Sequence, residues 1–218
     1  FKKRLKKTLN LKSSVIYNPI GIPKKFIKKK INFFNQFKNL KMISIGRLTD
    51  QKDHLTLIKA LHLLKKEGIK FKFYLVGQGN NYDKIYNAIK KYKLSSIVKL
   101  AGFKEKAYRY INSADLFILT SKYEGLPNVL IEAQYLGIPI ISSDCPTGPK
   151  EILMNGKAGT LYKTGNYLDL SNKIKLFIKN RIFFIKQAKI AKKNLNRFGN
   201  NIFLQKYNKI FIKNFNKK

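Results

Sequence analysis

The sequence has one cysteine, Cys145, no tryptophan, and only 11 acidic residues against 46 lysines and arginines in 218. A single thiol excludes an internal disulfide and fits a reducing compartment. Cys145 precedes Pro146 in a loop, and neither His54 nor His62 has a motif tying it to that thiol, so a structural cysteine is expected rather than a nucleophile. No second ligand is spaced to join either histidine, and both are expected as partly exposed helix residues rather than metal ligands. No apolar run approaches the roughly 20 residues that a membrane-spanning helix needs. The chain starts with Phe1 rather than Met, offers no signal peptide to argue from, and is read as a fragment.

The shortage of acid leaves a formal charge of +35, which on its face suggests nucleic acid or an anionic membrane as partner. Specific base readers favour arginine, however, and only Arg4, Arg47, Arg109, Arg181 and Arg197 are present. The remaining basic residues are lysines spread along the whole chain, with no zinc-ligand spacing or RNA-binding aromatic motif beside them. Together with abundant Asn, Ile, Phe and Tyr they look like the drift of an AT-rich coding sequence. That pattern argues against nucleic acid and keeps contact with an anionic membrane surface as a secondary property.

Hydrophobic content of 44% supports a sizeable core. Residues 1–41 read as a basic segment and linker, with a peripheral helix over 1–14, a brief strand at Val15-Ile16-Tyr17 and a Pro/Gly connector after it. From 42 to 180 strands alternate with helices. Strands are predicted over 42–46, 71–76, 97–100, 115–120, 139–142 and 159–162, and helices over 54–66, 82–92, 106–112, 129–136 and 167–180, with a helical turn at 151–154. Asp53 is the expected N-cap of the helix at 54–66. Helices over 182–198 and 201–214 complete the chain as a separate region, 181–218. Short connections between alternating elements predict an α/β domain, a Rossmann-like parallel sheet flanked by helices, with its ligand site at the carboxyl ends of the strands. Gly46, Gly77, Gly79, Gly102 and Gly125 fall at or just after strand ends, where backbone can approach a ligand closely.

The chemistry concentrates in residues 120–137, TSKYEGLPNVLIEAQYLG. Glu124 falls in the loop between a strand and a helix, Pro127 suits the first helical turn, and Glu132 lies about one turn inside. A helix N-terminus attracts phosphate, whereas carboxylates accept from sugar hydroxyls. Two glutamates flanking such a terminus therefore fit a ligand that is part phosphate and part polyol. They fit equally well an acidic residue favoured by the helix dipole and a solvated glutamate one turn later. Arg47 and Lys52 leave the first strand on the same edge, where a guanidinium and an ammonium could clamp a diphosphate or simply lie in solvent.

In order and spacing, Ile45-Gly46-Arg47-Leu48 with Gln51-Lys52-Asp53, Leu75-Val76-Gly77-Gln78-Gly79, Ala101-Gly102-Phe103, the run from Ser121 to Ala133, and Gly137-Ile138-Pro139-Ile140-Ile141-Ser142 resemble the nucleotide-sugar half of the glycosyl transferases group 1 family, family 4 retaining enzymes of the GT-B fold. The resemblance implies transfer of a sugar with retention from a nucleoside-diphosphate sugar, UDP-linked, to a surface glycan or lipid-linked acceptor, without a metal or other cofactor. It implies that Arg47 and Lys52 bind the donor diphosphate, Glu124 contacts the donor sugar and Glu132 holds the ribose hydroxyls. The backbone from Gly125 and Leu126 through Pro127, Asn128 and Val129 faces the phosphates, Gly46 and Gly77 border the site, and Gly102 and Phe103 border the base. It also implies a cytoplasmic protein, peripheral on the inner face of the membrane, whose acceptor-binding half is missing from this chain. A non-catalytic fragment or a subunit needing a separate acceptor-binding chain is the alternative. The loop from Asp144 to Glu151 replaces the family's shorter glycine loop and is associated with surface-polysaccharide enzymes.

Overall fold

A computed structural model describes residues 14–20, 34 and 37–215. Six strands, β1 (Leu40–Ile45), β2 (Phe71–Val76), β3 (Val98–Leu100), β4 (Leu116–Leu119), β5 (Ile140–Ser143) and β6 (Thr160–Tyr162), form one sheet in the order β3-β2-β1-β4-β5-β6. All five pairings are parallel. The helices are α1 (His54–Lys66), α2 (Tyr82–Lys91), α3 (Ala107–Ile111), α4 (Asn128–Leu136), α5 (Pro149–Ile152), α6 (Tyr167–Lys179), α7 (Arg181–Lys193) and α8 (Asn200–Phe215).

Both faces of the sheet are covered, which is why its strands read as continuous apolar runs. Along β4 the side chains alternate between two cores. Leu116 and Ile118 join Met42, Phe73, Leu57 and Leu61 under α1, α2 and α6. Phe117 and Leu119 join Ile43, Ile45, Leu130 and Ile131 on the α3 and α4 side. Phe184 of α7 enters the first core edge-on to Phe177 of α6, with ring centroids 5.2 Å apart, so the carboxy-terminal helices share the sheet's packing.

Several boundaries differ from expectation. β1 starts at Leu40 because that side chain, 4% exposed, belongs to the core and pairs with Phe71. The strand predicted at Val15–Tyr17 does not form, and 14–20 runs without regular structure. It docks through side chains instead: the Tyr17 ring tilts on Phe198, its hydroxyl donates to Glu151 Oε1, and the Ile20 N–H donates to the Phe198 carbonyl at 3.0 Å. Burial and the bond to Glu151 push the Tyr17 phenol up to about 12. The helix predicted over 182–198 breaks at Asn194, whose side chain donates to the Ile190 carbonyl at 2.9 Å, and a 3-10 turn over Leu195–Phe198 follows. The peripheral helix expected over 1–14 and most of the linker lie outside the described residues.

The strand order places the site. β1 has β2 on one side and β4 on the other, so the chain leaves β1 and β4 towards opposite edges and opens a crevice at their carboxyl ends.

Candidate functional site

The loops that follow β1 and β4 meet over this crevice and are sewn together. The Thr120 hydroxyl donates to the Lys52 carbonyl at 2.7 Å, the Lys122 N–H to the Gln51 carbonyl at 2.8 Å, and the Gln51 side-chain amide to the Tyr123 carbonyl at 3.0 Å. Holding the backbones in this register brings Lys52 Nζ to 2.5 Å from Glu124 Oε1, with side chains only 13% and 7% exposed. Gly46 lies behind the lysine stem, where a Cβ would stand 3.3 Å from Lys52 Cε. Residues distant in sequence thus form one buried ion pair at the switch point.

Glu124 is fixed further from a third loop, after β5. Its N–H donates to the Pro146 carbonyl at 3.3 Å, and the Thr147 hydroxyl donates to its carbonyl. Gly148, at φ 72°, makes this close packing feasible, since a Cβ there would meet the Gly125 carbonyl oxygen at 2.3 Å. Gly77, at φ 148°, likewise packs against the chain itself: a Cβ would stand 1.9 Å from the Gly46 carbonyl oxygen. The freedom of this glycine is therefore taken up in joining the β1 and β2 loops. Gly102 and Gly125, by contrast, have open space on the Cβ side.

The two readings of the glutamates now separate on geometry. No acidic residue stands in the first turn of α4, and no side chain caps it. Glu124 spends its carboxylate on Lys52 and on the Ser121 hydroxyl rather than on the helix dipole. Pro127 sits one residue before the helix instead of inside its first turn, with the Leu130 N–H returning to its carbonyl at 3.0 Å. Glu132, the fifth helical residue, is half-buried; its Oε2 is buried with no partner among the described residues, and burial pushes its carboxyl pKa up. An acceptor in that condition fits a hydroxyl donor.

Arg47 is exposed and forms no ion pair with a described residue, and Phe103 is 64% exposed. Asn128 is exposed, and Leu126 and Val129 are half-buried at the mouth of α4. No hydrogen bond or ion pair among the described residues joins Arg47, Glu132, Gly102 or Phe103 to the Lys52–Glu124 pair. A cavity of about 500 Å³ walled by Asp144, Pro146 and Tyr162 opens beside the third loop.

Two expectations near the site are corrected, those for His54 and Asp53. His54 is 3% exposed, not a surface residue, and burial together with the Lys52 charge holds its imidazole down at about 4. Asp53 occupies the N-cap position but caps no backbone N–H; in a left-handed conformation it accepts instead from the Thr56 hydroxyl at 2.7 Å. His62 is half-buried against Tyr92, with ring centroids 4.7 Å apart. Cys145 is buried and in no disulfide, and burial pushes its thiol pKa up, the wrong direction for a nucleophile. Among the described residues no three of His, Cys, Asp or Glu are grouped to hold a metal ion.

Sequence reasoning missed Ser121, Ser143 and Thr147. The Ser-x-x-Glu spacing was the only local signal for the first. Nothing in the sequence relates Ser143 or Thr147 to Glu124, because those contacts depend on β5 lying beside β4.

Comparison with known proteins agrees with this architecture. The family model described as glycosyl transferases group 1 matches residues 24–197. An amylovoran biosynthesis glycosyltransferase of Erwinia amylovora is 32% identical over 178 residues, covering 79% of this chain and 48% of the relative. An uncharacterised glycosyltransferase of Methanocaldococcus jannaschii is 33% identical over 152 residues, 67% of this chain and 37% of the relative. The chain thus spans half or less of the length of these relatives. Among solved structures, the Anabaena protein HepE, in complex with UDP, superposes with a TM-score of 0.81 at 23% identity, over 92% of this chain and 57% of that one. The shared fold is a Rossmann-like parallel sheet flanked by helices, of the kind found in GT-B glycosyltransferases. With four-fifths of its length matched by that family model, the chain belongs to the glycosyl transferases group 1 family.

Proposed function

We propose that this chain is the donor-binding half of a retaining glycosyltransferase that takes a sugar from a UDP-sugar and passes it to a surface glycan or glycolipid. The observation that carries the reading is the buried Lys52–Glu124 pair, set at the switch point beside an uncapped helix N-terminus. In this reading Lys52 and the exposed Arg47 receive the diphosphate, with the free N–H groups at Asn128 and Val129 supplying further donors. Glu132 accepts from the ribose, Glu124 meets the donor sugar, and Gly102 with Phe103 borders the base. The choice of uridine follows the UDP-bound Anabaena neighbour.

The two cations also supply the chemistry. As the glycosidic C–O bond breaks, negative charge grows on the departing diphosphate, and fixed positive charge lowers the energy of that state. The reaction is proposed to need no metal ion for this. The leaving phosphate takes the acceptor's proton on the same face, which gives retention, while Glu124 steadies the positive character of the sugar ring. The acceptor is held by a second domain or chain, and the +35 charge favours work at an anionic membrane surface on the cytoplasmic side.

Calorimetric titration with UDP tests the donor site. Arg47→Ala and Lys52→Ala should each weaken binding about tenfold, the effect of losing one charge-assisted contact; unchanged affinity removes the clamp. In the complete enzyme, Glu124→Ala should abolish transfer while UDP still binds, and undiminished turnover would sink its role. A second reading, a nucleotide-sugar-binding subunit inactive alone, is favoured by the 37% and 48% coverage of the relatives. Transfer assays with and without an acceptor-binding partner chain separate the two.

A further inference from the structure

Glu124 is held by more than Lys52. The Ser121 hydroxyl, 0% exposed, donates to the same carboxylate oxygen, Oε1, at 2.6 Å. Ser121 is itself braced from behind: the Ser143 hydroxyl, also 0% exposed, donates to the Ser121 carbonyl at 2.6 Å. Ser143 is the last residue of β5 and pairs with Tyr162 of β6, so the brace is rooted in the sheet. Both donors to the carboxylate converge on Oε1, and no described residue donates to Oε2. A carboxylate accepts through either oxygen. Pinning one oxygen from two directions fixes the plane of the group and presents the other to whatever occupies the crevice.

We propose that Ser121, backed by Ser143, is a positioning residue that aims Glu124 Oε2 at the donor's sugar, so that the two serines govern recognition of the sugar and leave recognition of the nucleotide to other residues. This rests on the donor-site reading given above. Lys52 cannot supply the aim alone. Its ammonium ends a flexible four-carbon stem and is shared, in that reading, with the diphosphate. Ser121 lies three residues from Glu124 in the same loop, is short, and has its backbone tied to β5, so its direction is set by the fold. The arrangement divides labour: the cation answers to phosphate, while the serine keeps the carboxylate in place when the cation is shared.

The test is calorimetry on the full chain with UDP, UDP-glucose, UDP-galactose, UDP-N-acetylglucosamine and UDP-N-acetylgalactosamine. The wild type should distinguish at least one sugar nucleotide from UDP. In Ser121→Ala, affinity for UDP should stay within about twofold, while the ratio of that sugar nucleotide's affinity to UDP's shifts roughly tenfold, as expected for one hydrogen bond to a charged group. Ser143→Ala should shift the ratio in the same direction by roughly threefold. An unchanged ratio in Ser121→Ala overturns the proposal, and so does an equal loss for UDP and the sugar nucleotide, which marks a merely structural serine. A wild type that binds UDP but treats every sugar nucleotide alike overturns the positioning role alone. A wild type that does not bind UDP removes the donor-site reading and this proposal with it.

Discussion

The Lys52–Glu124 pair permits a quantitative test by a double-mutant cycle with Lys52→Met, Glu124→Gln and both together. At 2.5 Å and an effective dielectric of about 20, the direct attraction is about 7 kcal/mol, an upper figure from which the loss of hydration of both groups is subtracted. The side chains are only 13% and 7% exposed, so removing one partner leaves the other buried without compensation, a change that costs about 3–5 kcal/mol in comparable settings. Ser121 remains as a donor to Glu124 when the lysine is lost, which places Lys52→Met at the lower end, about 3 kcal/mol. The double variant buries two neutral groups and should cost about 1 kcal/mol, against roughly 6–8 kcal/mol for the two single variants together, giving a coupling energy of about 5 kcal/mol or more. Urea denaturation at pH 7 measures all four proteins, and slopes against denaturant show whether the unfolded surface is the same. The coupling should persist in concentrated salt, because ions screen buried pairs weakly. Costs that add to within about 0.5 kcal/mol would show that the two charges do not feel each other, and would refute the buried pair.

Other expectations follow from single residues. His54 falls from its ordinary 6.5 to about 4 on folding, so the unfolded chain binds the extra proton between those values; stability from this group is full above pH 6.5 and is lost as pH falls towards 4, by about 3 kcal/mol. His54→Gln should flatten that part of the pH profile of the urea midpoint, and an unchanged slope would place the effect elsewhere. Gly77→Ala puts a Cβ 1.9 Å from the Gly46 carbonyl at φ 148°, and should lower stability by at least about 2 kcal/mol with a clear drop in melting temperature; a melting point equal to wild type contradicts the close approach. Glu132 carries a pKa raised by burial and an unpartnered oxygen, so it stabilises the fold only while protonated and opposes it as pH rises. Glu132→Gln should therefore raise the melting temperature at pH 7 while weakening UDP binding, and loss of both would assign it a structural role instead.

Long elements with strong periodicity were legible in the sequence. The helix over His54–Lys66 and the strand Phe71–Val76 agree with expectation residue for residue, because apolar spacing and flanking breakers coincide there. One short segment was not legible: Val15–Tyr17 has strand-forming residues but docks on Phe198 and Glu151 through its side chains, a choice made by partners more than 130 positions away. His54 illustrates the same limit within a correct helix. Its place at the first turn reads as partly exposed, yet the folded chain leaves it 3% exposed.

The sequence alone determined the alternation of strand and helix, and hence a parallel sheet with its crevice at the carboxyl ends, because side-chain periodicity is a local property. It also carried the motifs by which Arg47, Lys52, Glu124 and Glu132 were singled out, while leaving open whether the glutamates decorate a helix or serve a ligand. What the tertiary structure decided is which of these residues meet. Lys52 and Glu124 are 72 positions apart and meet only because β1 and β4 are neighbours in the sheet. Ser143 reaches the same carboxylate's support only because β5 lies next. Sequence spacing specifies the residues that an element presents, whereas the order of strands across the sheet specifies which of them are brought to one point.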